Sequence, residues 1–194
     1  MRAAVADDQL NHGGERMADA SAAINYVLGN ENGFVDNKND PGGATNHGIS
    51  LRFIQSLPNL KKYGLQDATR DTIEQLTQLQ AFNILLNEFW HNTAFALISD
   101  QNVCDNVFDM SVAQGTATAI KALQRAIWAV FGDIDLAEDG VLGKITLRWV
   151  EFTKPETLLA AFRAERAWVY RQTVAEYPRL KGFLPAWLAR AYSK

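Results

Sequence analysis

The chain has 194 residues, with 19 Lys and Arg against 22 Asp and Glu, a net charge of −3. That balance gives no reason to expect nucleic-acid binding, and no apolar run approaches membrane-spanning length. One cysteine, Cys104, excludes an intrachain disulfide, and three dispersed histidines, His12, His47 and His91, offer no metal-ligand spacing, so neither metal nor cofactor is expected.

Residues 1–18 are polar and Gly-containing, lack the apolar core of a signal peptide, and are expected to be a flexible tail. A first helix is predicted from about Ala20 to Leu28, because Ala23, Ile24, Val27 and Leu28 recur at helical spacing before Gly29-Asn30.

The next twenty residues, Glu31 to Ser50, hold three carboxylates and four glycines between two helical patterns. A loop of that length can fold back and bring Asp40 near Glu31. Partial burial at the helix end would raise the Glu31 carboxyl toward a proton-donating form, while Asp40 on a polar Gly-rich loop would stay ionised. A proton donor facing an ionised carboxylate is the arrangement for cleaving a glycosidic bond. Thr45 would position a water through its hydroxyl. From spacing alone, ordinary turn residues and a solvated helix-end charge account for the same pattern.

Glu31-Asn32-Gly33-Phe34-Val35 and Asp40-Pro41-Gly42-Gly43-Ala44-Thr45-Asn46-His47-Gly48-Ile49-Ser50 resemble the E-G-G-Y-V and D-P-G-G-x-T-x-x-G-I-T signature of glycoside hydrolase family 108 muramidases, known from phage and prophage endolysins. The resemblance implies a mainly α, lysozyme-like fold with at most one small β-hairpin near the active site. It implies hydrolysis of the β-1,4 bond between N-acetylmuramic acid and N-acetylglucosamine, with Glu31 as the general acid. The E-x8-D-x4-T run also resembles the order in phage T4-type lysozymes, which suggests Asp40 and Thr45 as partners. Asn46 and His47, inside the same motif, are candidate substrate-binding residues. Three positions depart from the signature: Asn32, Phe34 and Ser50. Met17 stands close to where family members begin, so it is a candidate natural start.

Further along, Ser50 suits an N-cap for a short helix from Leu51 to Ser56, ended by Pro58. Asp71-x-x-Glu74 suits a capping box. Helical pattern continues to about His91, with Leu76, Leu79, Phe82, Leu85, Leu86 and Phe89 as its inward stripe and Thr77 as a potential break. Phe89 is assigned to the core. Trp90 stays open between core packing and stacking on a sugar, and is carried as a candidate substrate-binding residue.

Gln101 to Val112 reads as a helix in which Cys104 is a buried structural thiol. Asp109 falls among apolar neighbours and needs partners there. It is either a hydrogen-bonding hub or a contributor to the cleft. Val112-Ala113-Gln114-Gly115 and Ala122-Leu123-Gln124-Arg125-Ala126 resemble the start of the family's peptidoglycan-binding C-terminal region. Members often carry Asn at the position of Ala113, and Gln114 is the candidate to replace that contact.

A long helix is predicted from Thr116 to Phe131, then a corner at Asp139-Gly140-Val141-Leu142-Gly143-Lys144-Ile145-Thr146, then helices from about Ile145 to Phe152 and from Pro155 to about Glu176. The segment from Arg163 onward carries seven Lys or Arg against two Glu, a net of +5, leaving −8 for the remainder. A weak contact with lipopolysaccharide or an outer-membrane surface is one reading of that asymmetry. The other is a terminal helix that docks Trp187-Leu188 on the core, with its Arg and Lys solvated.

The expected organisation is a tail (1–18), a catalytic part (19–110) and a helical peptidoglycan-binding-like region (111–194) packed directly on it, as a monomer. The expected partner is peptidoglycan. Synthesis in a host cytoplasm and release to the wall through a holin-type pore would follow for an endolysin. Two other activities compete: a lytic transglycosylase leaving 1,6-anhydro ends, and a non-catalytic wall-binding or secretion-accessory protein.

Overall fold

The computed structural model describes residues 17–31, 33–37 and 42–193. The expected tail lies outside them up to residue 16, as do Asn32 and Asp40. Ala18, near the start of the described residues, is buried and donates its N–H to Ala96 O at 2.9 Å.

The fold is mainly α. Helix α1 (Ala20–Gly29) is capped by Asp19, whose carboxylate accepts from Ala22 N at 2.7 Å. It packs along α5 (Gln101–Gln114). Between them lies a hairpin, β1 (Thr45–Asn46) against β2 (Ile49–Ser50), with Thr45 opposite Ser50 and Asn46 opposite Ile49. Its two turn residues, His47 and Gly48, have φ of 51° and 78°, the left-handed pair that matches strand twist in a two-residue turn. Val35 extends the pairing, exchanging two 2.8 Å bonds with Thr45.

Helix α2 (Leu51–Ser56) starts as predicted, Ser50 Oγ accepting from Phe53 N at 3.2 Å. After a 3-10 turn (Leu60–Tyr63) come α3 (Arg70–Glu74) and α4 (Gln78–Leu85). Two expectations are corrected here. The capping box is Thr77 with Gln80, and α3 is capped by Thr69, with Asp71 already inside it. Because Thr77 restarts the helix, its phase resets: Ala81, Ile84 and Leu85 turn inward, while Leu79 is 70% exposed. A π turn (Leu86–Trp90) closed by His91 N to Leu86 O at 3.0 Å then shifts the phase again and drives Trp90 into the core.

The remaining helices are α6 (Thr116–Phe131), α7 (Lys144–Phe152), α8 (Pro155–Glu176) and α9 (Leu184–Tyr192). Pro155 opens α8, where its missing N–H is no loss. Helices α6 and α8 both pack on α5, and α9 packs on α8. Thus residues beyond 115 share the core of the first half: Ala119, Leu123, Ile127, Leu158 and Phe162 belong to the cluster that contains Ile24, Val107 and Phe108.

The corner between α6 and α7 is structural. The buried Gln124 amide nitrogen donates to Asp139 Oδ1 (2.8 Å), Thr146 Oγ1 (3.1 Å) and Val141 O (3.2 Å), and its oxygen accepts from Gly140 N (3.0 Å). Gly140 is needed there, with φ of 76° and space for no more than a hydrogen: an added Cβ would lie 3.0 Å from Ala117 O.

Candidate active site

Glu31 follows directly on the α1 cap. Asn30 closes the helix with its N–H on Tyr26 O (3.2 Å) and Val27 O (3.0 Å), so the Glu31 side chain is launched from a rigid helix end. That side chain is 15% exposed. It sits between α1, α5 and the hairpin turn. A methyl group added at Gly48 would lie 3.6 Å from Glu31 Cδ, 3.5 Å from Val27 Cγ1 and 3.4 Å from Val112 Cγ1. The hairpin therefore brings its backbone close to the carboxyl, and Val27 and Val112 lie against the same turn.

The polar side of Glu31 is supplied from afar. Arg190 on α9 places Nη2 2.7 Å from Glu31 Oε1 and 2.6 Å from Asp109 Oδ1. Arg190 Nε donates to Asp109 Oδ2 at 3.0 Å, and Arg166 Nη2 donates to the same oxygen at 2.5 Å. Asn30 Nδ2 donates to Asp109 Oδ1 at 3.5 Å. Two acidic and two basic side chains thus form one cluster, with Asp109 and Arg166 fully buried. Burial pushes the Asp109 carboxyl up, but hydrogen bonding and charge from Arg190, with Arg166 behind, overcome it and hold it below the ordinary value. Burial disfavours the charged Arg190, yet its bonds and charge interactions with Asp109 and Glu31 more than reverse that, so the guanidinium stays protonated. Arg166 also donates from Nε to Tyr170 OH at 2.9 Å.

Sequence reasoning raised Asp109 as a hub or a cleft contributor, and it is joined to both: buried against Arg166, and one guanidinium away from Glu31. It placed the cations of the terminal helix in solvent, and for Arg190 that is corrected. Its side chain is 20% exposed and points into the charge cluster. Trp187 and Leu188 do pack inward, against Ala167, Tyr170 and Ala191. Arg163 also turns back, donating to Ser193 O at 2.7 Å. Arg171, Arg179 and Lys181 are the exposed cations of the segment among the described residues. The signal that could have found Arg190 was Asp109 itself, a buried carboxylate that required cations the first half does not supply nearby.

The other candidate residues divide. Thr45 is partly buried in β1, its hydroxyl donating to Gly43 O at 3.4 Å. His47 is the first turn residue, partly exposed, two residues after Thr45. Gln114 closes α5, two residues beyond Val112, and is partly exposed. Asn46, by contrast, is 5% exposed, and its amide donates to Ile73 O (3.0 Å) and Glu74 O (3.2 Å). That pins the hairpin to α3 and leaves its donor no glycan to meet. Trp90 is 7% exposed and packs against Phe95 and Phe108 at ring distances of 5.9 and 5.5 Å. It is a core residue, with no face for a sugar. Missed from sequence was a clamp on the loop before the hairpin: Arg70 bonds Asp36 Oδ2 (2.6 Å) and Glu74 Oε2 (2.7 Å) and lies 4.9 Å from the Phe34 ring.

Among the described residues, no three His, Cys, Asp or Glu side chains converge as metal ligands, and no helix is long and apolar enough to cross a membrane. Cys104 is buried, its thiol pushed up by burial and directed at Phe95 O at 3.5 Å.

Residues 24–115, which run from α1 to the end of α5 and include Glu31 and Thr45, match the family model described as Glycosyl hydrolase 108. The match supports a glycoside hydrolase. The structure of SagA from Brucella abortus is similar over 90% of this chain and 97% of its own length, with a TM-score of 0.62 and 24% identity. That likeness extends the shared fold to the helices beyond residue 115. No curated protein matches the chain.

Proposed function

We propose that the chain is a family 108 N-acetylmuramidase, a peptidoglycan hydrolase of the phage or prophage endolysin kind, with Glu31 as its general acid. The observation that carries this reading is the placement of Glu31: inside the matched span, largely buried, close to the Gly48 backbone, and held through Oε1 by Arg190. With Oε1 engaged, Oε2 is the oxygen that carries a proton to the leaving glycosidic oxygen. Asp40 is assigned the ionised partner that orients a water or stabilises the oxocarbenium-like ring, and Thr45 the hydroxyl that helps place the water. Its site of action is the bacterial wall, reached after release through a holin-type pore.

The test is turbidity loss of chloroform-permeabilised Gram-negative cells, with product masses, for wild type and Glu31→Gln. A loss of roughly a hundredfold or more, the lower range for general acid catalysis, with reducing-end products from wild type, supports the reading. Products lighter by one water would make the enzyme a transglycosylase. Wall binding without release of fragments would make it an accessory protein. Full activity of Glu31→Gln overturns the assignment of the acid.

A further inference from the structure

We infer that Arg190 is the positioning residue for Glu31, so that helix α9, outside the matched span, completes the catalytic centre. This rests on the reading of Glu31 as the acid.

A glutamate has three side-chain torsions, and fixing them costs conformational entropy. General acid catalysis rewards only the rotamer that aims the proton at the leaving oxygen. The backbone beyond α1 does little to impose it: Glu31 N bonds Leu28 O at a long 3.4 Å. The Gly48 backbone limits where the carboxyl can lie, but it does not choose between the two oxygens.

Arg190 does choose. One nitrogen, Nη2, is shared between Glu31 Oε1 (2.7 Å) and Asp109 Oδ1 (2.6 Å), while Nε fixes the plane of the guanidinium on Asp109 Oδ2 (3.0 Å). Asp109 is itself immobilised by Arg166 on α8. The Glu31 carboxyl is thereby referenced to the buried joint of α5 and α8. A planar fork is suited to this: it spans two carboxylates at fixed angles, which a single ammonium cannot do. The helix that carries it is in turn held by Ala191, fully buried, by Trp187 on Tyr170 (5.4 Å between rings) and by Arg163 on Ser193 O.

The test uses the full chain with a soluble uncrosslinked glycan substrate, so that kcat and KM separate. Arg190→Gln is expected to lower kcat by about ten- to a hundredfold with KM within about threefold, as for an interaction used in the transition state. Arg190→Lys should recover part of kcat, because its ammonium reaches one carboxylate. Arg125→Gln breaks an equally shielded arginine on α6 that pairs with Glu138 and Glu165 and takes no part in holding α9 or Glu31, and should lower melting temperature while leaving kcat unchanged. If Arg190→Gln does not fold, Arg190→Lys carries the test, with kcat reduced about tenfold expected.

A second readout needs no turnover. In a double-mutant cycle of Glu31→Gln and Arg190→Lys followed by thermal melting, the two effects should be non-additive. Wild-type kcat in every folded Arg190 variant, or a kcat loss in Arg125→Gln equal to that at Arg190, overturns the inference. Both leave the muramidase reading standing, because that reading fails only if Glu31→Gln stays active or no fragments are released.

Discussion

Gly48 lies against Glu31: a methyl group built on Gly48 would be 3.6 Å from Glu31 Cδ. The contact couples the two halves of the sequence motif, one at the end of α1 and one in the hairpin turn. It is close because Gly48 adopts φ of 78°, which a side chain disfavours by about 1–2 kcal/mol.

Gly48→Ala should therefore lower stability by about 1–2 kcal/mol and lower lytic activity as well. The methyl group fits at ordinary contact distances, so the stability loss comes from the backbone. The activity loss comes from a turn that backs away from the Glu31 carboxyl. Thermal melting and turbidity assays read the two separately. Unchanged activity in a destabilised variant would show that the turn does not help define the site.

Asp109→Asn removes one charge from a buried cluster and takes from the buried Arg166 the carboxylate it pairs with, leaving Glu31 to Arg190. Breaking a buried pair this way is expected to cost about 3–5 kcal/mol at pH 7. The Asp109 carboxyl is held below its ordinary value in the fold. Its stabilisation is therefore present above the unfolded value of about 3.9 and lost as pH falls from there toward the folded value. Urea melts across pH 3–7 should show wild type losing this contribution below about pH 4 and the variant with a flatter profile. A loss under about 1 kcal/mol at pH 7, smaller than expected for a buried pair, would contradict the cluster.

Legibility of the sequence followed the range of the signal. Helix ends set by local chemistry could be read directly: Ser50 before α2, Gly132 after Phe131, Pro155 and Pro178 around α8. The inward stripe held at Leu76, Phe82, Leu85, Leu86 and Phe89 but missed at Leu79, because Thr77 restarts the helix and resets its phase. Trp90 was left open because an aromatic ring at helical spacing suits both core packing and stacking on a sugar. The two halves of the Glu31 motif were visible, but its cation was not. Arg190 lies 81 residues from Asp109, on an amphipathic helix whose charges look solvated until the buried acid opposite is seen.

The corner before α7 supplies a paired prediction. Gly140→Ala places Cβ 3.0 Å from Ala117 O at φ of 76°, combining backbone strain with overpacking, and should cost more than about 2 kcal/mol. Gly143→Ala, three residues on, has φ of −90° and meets only Val141 Cγ1 at 3.8 Å. It should stay within about 1 kcal/mol, the scale of a helix N-cap change. Equal losses in the two denaturation curves would show that the corner does not depend on the close approach to α6.

Asp105 offers a gain. Burial raises its carboxyl above the ordinary value, and the charges of Asp100, Asp19 and Asp109 add to that, with the Gln101 amide at 2.6 Å opposing. A carboxyl raised in the fold penalises the folded state wherever it is ionised, so the penalty is present at neutral pH and vanishes as pH falls below the unfolded value of about 3.9. Asp105→Asn removes the charge while its carbonyl oxygen can still accept from Gln101. The expected result is a melting temperature raised by about 2 °C at pH 7, the shift that somewhat under 1 kcal/mol produces in a chain of this size, with the gain fading toward pH 3. A variant that melts lower than wild type at pH 7 would show that the ionised carboxylate and Gln101 form a net stabilising pair that outweighs the acidic neighbours on α5.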